Sequence, residues 1–201
     1  TPLQSELRTG RVPFDAAFPQ GHGGFKLHRR IIADLLDVER ISQGKVILNP
    51  KSICIGDIVR ESVETYILAA TAKTILLRTT PADIKCEVVC DADRIRQVVS
   101  NLVGNAVKFT PDGGVVTVNI KPEGDFVRIS ILDTGPGIPK EKMKQIFDRF
   151  AQLASKDRTG LGLGLYISKM LIEAHGGSLS VESNVGVGSN FKIALPLHCV
   201  A

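Results

Sequence analysis

Three glycines at alternate positions, Gly160, Gly162 and Gly164, constrain this chain more than any other feature. Leu161, Leu163 and Leu165 separate them in the stretch "TGLGLGLYI" (159–167). Strict alternation reads as a strand with one buried face. Three glycines, however, weaken a strand through lost backbone entropy and lost cross-strand contacts. The alternative use of clustered glycine is a close backbone approach to another group. Gly162 and Gly164 lead directly into "YISKMLIEAH", whose apolar residues recur with helical period. They therefore occupy a helix N-terminus, where unpaired N–H groups and the helix dipole favour an anion such as phosphate. The Gly-Lys-Ser/Thr ending of a Walker A loop is absent.

Three further stretches carry polar residues in unusual places. In "DADRIRQVVSNLVGNAVKF" (91–109), Ile95, Val98, Val99, Leu102, Val103 and Val107 supply a helical core face, with Asp91 offering an N-cap. Asn101 and Asn105 lie four apart on one side, and Lys108 follows one turn later. Asparagine is a poor helix-interior residue, because its amide competes for backbone hydrogen bonds. Two readings stay open: a solvated helix face, or a polar site in which asparagine oxygens complete the shell of a hard cation and Lys108 meets phosphate. In "ISILDTGPGIP" an apolar strand ends in Asp133, and Gly135-Pro136-Gly137 turns the chain. Asp133 is either a turn residue or an acceptor for an amino group such as that of adenine. In "NVGVGSNFKIALPL", Gly186 and Gly188 join two strands, which alone reads as a plain hairpin.

The rest of the chain supplies a scaffold. Residues 9–24 are rich in Gly and Pro and read as loop. Residues 25–43 read as a helix with Leu27, Ile31, Leu35 and Val38 in a stripe broadened by Ile32, Leu36 and Ile41, and Gly44 as its C-cap. Short strands are expected at 45–49, 74–80 and 86–90. Between the first two lies an amphipathic stretch with Ile58, Val63, Ile67 and Ala70 on or near one side. Strands at 114–120 and 126–132, helices at 139–148 and 162–175, and strands at 178–183 and 189–195 complete the pattern. His175-Gly176-Gly177 ends the last helix. The layout is a helical arm followed by a sheet of about five strands with helices covering one face. Across 201 residues the net charge is +4, with no basic run interleaved with aromatics, so nucleic acid is not an expected partner. No apolar run approaches a membrane span. Cys54, Cys86, Cys90 and Cys199 show no CxxC spacing, which excludes a zinc ribbon and fits reduced thiols in the cytoplasm. A first residue of Thr reads as a piece of a longer chain.

In order, "NLVGNAVKF", "DTGPGI", "FDRFAQ" (147–152), "GLGLGLYISK" and "GVGSNF" resemble the N, G1, F, G2 and G3 boxes of the histidine protein kinases of two-component signalling. The resemblance covers residues 25–197. It implies an α+β fold, the two-layer sandwich shared with gyrase, the Hsp90 chaperones and MutL, over residues 45–201. Residues 1–44 would be part of a helical dimerisation hairpin. It also implies an ATP site. Asn105 would hold Mg²⁺ with Asn101 assisting, and Lys108 would touch phosphate. Asp133 would read the adenine amino group, within a turn formed by Gly135, Gly137 and Ile138. Gly137 would let the base approach, and Ser189 would support it. Phe147 and Phe150 would flank a lid at about 151–161. Gly160, Leu161, Gly162, Leu163 and Gly164 would face the phosphates.

The same resemblance sharpens the reaction. ATP-hydrolysing relatives carry Glu at the position of Asn101, as a base for water; a neutral amide takes up no proton. Transfer to an acceptor carried elsewhere fits better, the alternative being a catalytically silent nucleotide-binding signalling module. In the family, the first hairpin helix carries His-Glu-X-X-Thr-Pro-Leu, and this chain begins "TPL". The phosphoacceptor His would lie four places before Thr1, and Thr1 would hold the family's phosphatase position. None of His22, His28, His175 or His198 has that context. A homodimer through the hairpin and the receiver domain of a response regulator are the implied partners, with no direct membrane contact from these residues. Two departures stand out: residues 5–24 are too rich in Gly and Pro for a long first helix, and Leu161 and Thr159 replace the usual Thr/Ser and Gly. Lys156 and Arg158 are candidates to compensate for lost γ-phosphate contacts.

Overall fold

A computed structural model describes residues 34–43, 46–81, 85–152 and 161–197. A helix at 34–42 (α1) comes first. Then follow β1 (Lys51–Cys54), α2 (Ile55–Glu64), α3 (Ile67–Ala72), β2 (Leu76–Thr80), β3 (Glu87–Cys90) and α4 (Ala92–Phe109). The second half runs β4 (Val115–Glu123), β5 (Phe126–Asp133), α5 (Gly164–Ala174), β6 (Ser178–Asn184) and β7 (Gly188–Pro196). Five strands form a mixed sheet in the order β2-β4-β5-β7-β6. Only β2 and β4 run parallel; the other neighbours are antiparallel. A separate antiparallel ribbon pairs β1 with β3. The expected α+β sandwich is therefore observed.

Alternation along β5 explains both the core and the site. Val127, Ile129 and Ile131 point inward and are fully buried, while Arg128 and Leu132 stay on the open face. Asp133 falls on the inward parity and is buried with them. Helices α2, α4 and α5 cover that inward face, α4 packing against both other helices and against β5. The Asp91 carboxylate caps α4 as expected, accepting the N–H groups of Asp93 and Arg94. His175 ends α5, its Nδ1 bonded to Leu171 O and its Nε2 accepting the Asp91 N–H.

Three expectations are corrected. Residues 46–50 are not a strand: Asn49 N–H donates to Asp91 Oδ2, Pro50 has no N–H to give, and pairing begins only at Lys51. Residues 139–148 form two 3₁₀ turns, Lys140–Lys142 and Gln145–Phe147, in place of a helix. Their bonds close over three residues, as in Lys142 N to Pro139 O and Asp148 N to Gln145 O, and only Ile146 and Phe147 are driven inward. The amphipathic stretch breaks at Thr65–Tyr66 into α2 and α3. The break rotates the second helix, so Ala70 is buried while Ile67 is 52% exposed.

On α1, Val38 and Ile41 pack on the core, whereas Leu35 and Leu36 of the expected stripe are exposed. Leu27, Ile31, Ile32 and Gly44 lie outside the described residues. Cys86 and Cys90 are buried thiols; Cys199 lies outside the described residues. Among the described residues no helix is long and apolar enough to cross a membrane.

Candidate functional site

The expected residues converge along the second half of α4. At the C-terminal end, Asp133 Oδ1 accepts the Gly135 N–H at 2.8 Å and the Ser189 N–H at 3.3 Å. The β5–β7 register sets Ser189 directly opposite Asp133. No described group donates to the other oxygen, Oδ2. Burial pushes the Asp133 carboxyl above the usual carboxylate range, and the two N–H bonds only partly oppose this. A buried acceptor whose environment disfavours its charge calls for a donor from outside. The backbone of Phe109, the last residue of α4, lies beside Gly135, with its carbonyl oxygen 3.3 Å from where a Cβ would sit. Helix and turn therefore share one wall.

Ser183 was not singled out in the sequence, yet it ties this wall together. Its hydroxyl accepts the Ile138 N–H at 2.8 Å, donates to Gly188 O at 2.7 Å and meets Ser189 Oγ at 3.0 Å. One hydroxyl has one proton. With that proton on Gly188, Ser189 must donate to Ser183. The available signal was parity, since Ser183 sits on an inward position of β6.

Midway along α4, Asn101 is buried, and its Nδ2 donates to Ser168 Oγ of α5 at 3.0 Å. The solvated-face reading is thereby excluded for Asn101. Asn105 is half-buried and Lys108 exposed, with the Lys108 ammonium 4.8 Å from the Phe109 ring centroid. Leu163 precedes α5 and is buried in the core, so only its backbone can face a ligand; Leu161 is 36% exposed. Phe150 is 62% exposed and has φ +63°, an uncommon conformation for a bulky residue. Thr1 and Gly160 lie outside the described residues.

The glycines have reasons within the protein itself. A Cβ on Gly164 would lie 2.4 Å from Asn101 Oδ1. Gly162 has φ +71°, and a Cβ there would lie 2.6 Å from Ala151 O, where the segment expected as a lid departs. At Gly137 a Cβ would meet Asn184 O at 2.1 Å. That glycine thus admits the β6–β7 turn, whatever it does for a base.

A cleft of about 370 Å³ opens between α1, α4 and α5, lined by Asp34, Gln97, Ser100, Asn101, Gly164 and Ser168 among others. Asp37 holds α1 at its rim: Arg94 Nη1 donates to both carboxylate oxygens at 2.9 and 3.0 Å, and Gln97 Nε2 to Oδ2 at 2.9 Å.

Residues 90–198 match the family described as histidine kinase-, DNA gyrase B- and HSP90-like ATPases. The chain belongs to this family. This ATP-binding domain is 34% identical to the adaptive-response sensory kinase SasA of Crocosphaera subtropica over 184 residues, covering 90% of the chain and 48% of that protein. It is 36% identical to the circadian input-output histidine kinase CikA of Synechococcus elongatus over 171 residues, covering 83% of the chain and 23% of that protein. The chain thus spans less than half of either relative. Among solved structures, full-length ShkA in complex with AMPPNP superposes with a TM-score of 0.77 at 30% identity, over 87% of this chain and 37% of that one.

Among the described residues no group of three or more His, Cys, Asp or Glu side chains converges. A protein cage for a metal is thus absent from them. What this domain offers a cation is amide oxygen on α4, which suits a magnesium ion that keeps most of its shell from phosphates and water.

Proposed function

We propose that the chain is the catalytic part of a two-component histidine kinase, binding ATP along α4 and passing its γ-phosphoryl to a histidine. The observation that carries the reading is Asp133. It is a buried carboxylate with one oxygen fixed by two backbone N–H groups and the other without a described donor. That is an acceptor for the adenine amino group. Gly135, Gly137 and Ile138 would frame the base, and Ser189 would back it. Eight residues of helix separate Asn101 from Phe109, a rise of about 12 Å, so base and phosphates would lie along one helix.

From the last turn of α4 Lys108 would reach the phosphates as a point charge, with Gly160, Leu161, Gly162, Leu163 and Gly164 contributing backbone. Asn105, assisted by Asn101, would hold Mg²⁺, which supplies charge neutralisation to the phosphates. Phe150 would border the lid. Position 101 offers no base for water, because the neutral amide of Asn101 takes up no proton. The γ-phosphate end would then open toward the cleft beside α1, where an acceptor carried by the hairpin can enter. There the attacking imidazole nitrogen forms its bond to phosphorus, the bond to the bridging oxygen breaks, and ADP leaves with the electron pair. An Asp of a response-regulator receiver domain would take the phosphoryl group next. The acceptor His is expected four places before Thr1, with Thr1 in the phosphatase position, in a cytoplasmic homodimer joined through the hairpin.

The test uses the longer natural chain with γ-radiolabelled ATP. Acid-labile label on a histidine upstream of Thr1 supports the reading. Nucleotide binding without label refutes the transfer step, and absence of nucleotide binding refutes the site.

A further inference from the structure

The α3–β2 connection, remote in sequence from every expected site residue, reaches the C-terminal turn of α4, which carries Lys108. Lys73 follows α3, and its ammonium donates to three backbone carbonyls at the C-terminus of α4: Val107 O at 2.9 Å, Lys108 O at 3.0 Å and Thr110 O. An ammonium has three donors, and all three are used. The turns interlock in return, as Gly113 N–H donates to Lys73 O and Leu76 N–H to Gly114 O, both at 2.9 Å. Thr74, next in the chain, has φ +53°, a left-handed conformation that a β-branched residue adopts at a cost. The surrounding bonds hold that strained turn in place.

Last-turn carbonyls of a helix are unpaired and carry the negative end of its dipole. Lys108 stands on this turn. Uncompensated, these carbonyls would repel phosphates and compete for the Lys108 ammonium. We propose that Lys73 is a positioning residue for phosphate binding: by occupying the terminal carbonyls of α4 it fixes the last turn and lets Lys108 act on the nucleotide's phosphates. The inference rests on the phosphate role of Lys108 proposed above.

The experiment compares adenosine, ADP and ATP affinities by calorimetry for the parent chain, Lys73→Met, Lys73→Arg, Lys108→Ala and the Lys73→Met/Lys108→Ala pair. Lys73→Met is expected to weaken ATP about three- to tenfold, ADP less, and adenosine under about twofold. Lys73→Arg should recover most of the loss, and Lys73→Met should add little once Lys108 is gone. Adenosine binding reports that the variant is folded. An equal loss for adenosine and ATP, or full additivity in the pair, overturns the positioning role while leaving Lys108 in place. If Lys108→Ala itself fails to distinguish ATP from adenosine, the phosphate assignment falls and this inference falls with it.

Discussion

Replacing Asp133 by Asn should change which base the site prefers, because the protein dictates how the new amide is oriented. Two backbone N–H groups, from Gly135 at 2.8 Å and Ser189 at 3.3 Å, converge on Oδ1. An amide keeps both bonds only with its oxygen at that position, which sends its NH₂ to the Oδ2 position facing the proposed base. A donor then opposes the adenine amino group. Losing one charge-assisted hydrogen bond costs about 1.5–3 kcal/mol, so adenosine and ATP should weaken roughly 10- to 150-fold. Inosine carries an oxygen acceptor where adenosine carries the amino group, so its relative affinity should rise. Folding stability should move the other way. Burial raises the Asp133 carboxyl above its unfolded value, so its ionisation opposes folding. The stability lost in the parent as pH rises through the folded-state pKa is not lost in Asp133→Asn. Calorimetric titration with adenosine and inosine, with thermal denaturation at pH 7, gives both readouts. Unchanged adenosine affinity, or equal weakening of both nucleosides, would refute the reasoning.

Gly164→Ala should force Asn101 off Ser168, since the added Cβ would sit 2.4 Å from Oδ1. Thermal denaturation should show a loss of about 1–3 kcal/mol, reduced by up to about 1 from helix propensity, and an unchanged midpoint would count against the close fit. Asp91→Ala removes the acceptor for the N–H groups of Asn49, Asp93 and Arg94 and should cost about 1–2 kcal/mol at neutral pH by denaturant titration. Burial alone would raise the Asp91 carboxyl, but those N–H bonds and Arg94 win and lower it. Its stabilisation is therefore complete above the ordinary Asp value of about 3.9 and fades as pH falls through the lower folded value, so variant and parent should converge in acid. Asp37→Asn should speed hydrogen exchange in residues 34–42 with little change at β5 and β7, because the Arg94–Asp37 pair bonds α1 to α4. Uniform acceleration across the sheet would contradict this.

Much of the fold was legible because its periods are clean. The α4 stripe, its Asp91 cap and the β4–β5 and β6–β7 pairs follow from spacing alone. What was missed depended on partners remote in sequence. Lys45–Asn49 has strand composition, but Asn49 spends its N–H on Asp91, 42 residues away. Residues 139–148 have helical composition, yet the segment is anchored by Ile146 and Phe147, with Met143 partly buried, and tertiary packing prefers two tight turns there. Ser183 and Lys73 carry no signal of their own in the sequence, since a lone Ser on a strand and a Lys after a short helix are ordinary. Their roles come from topology, which brings β6 beside β7 and the α3–β2 turn beside the end of α4.

Two of the alternating glycines are required by the fold itself, apart from the phosphate role proposed for them. Gly164 is small because Asn101 needs the space, and Gly162 because the backbone at Ala151 crosses it. The first contact brings the N-terminus of α5 against α4 and the second seats the Phe150–Ala151 backbone on the turn before it, an arrangement that would expose unpaired N–H groups to phosphates lying along α4. Anchored by Asp91 at one end and Lys73 at the other, α4 is the rigid reference for that geometry. A side chain at 164 would therefore disturb phosphate placement even if it never touched a nucleotide. For the same reason, losses at Gly164 should appear in ATP affinity and scarcely in adenosine affinity, since Asp133 lies near Phe109, eight residues of helix beyond Asn101.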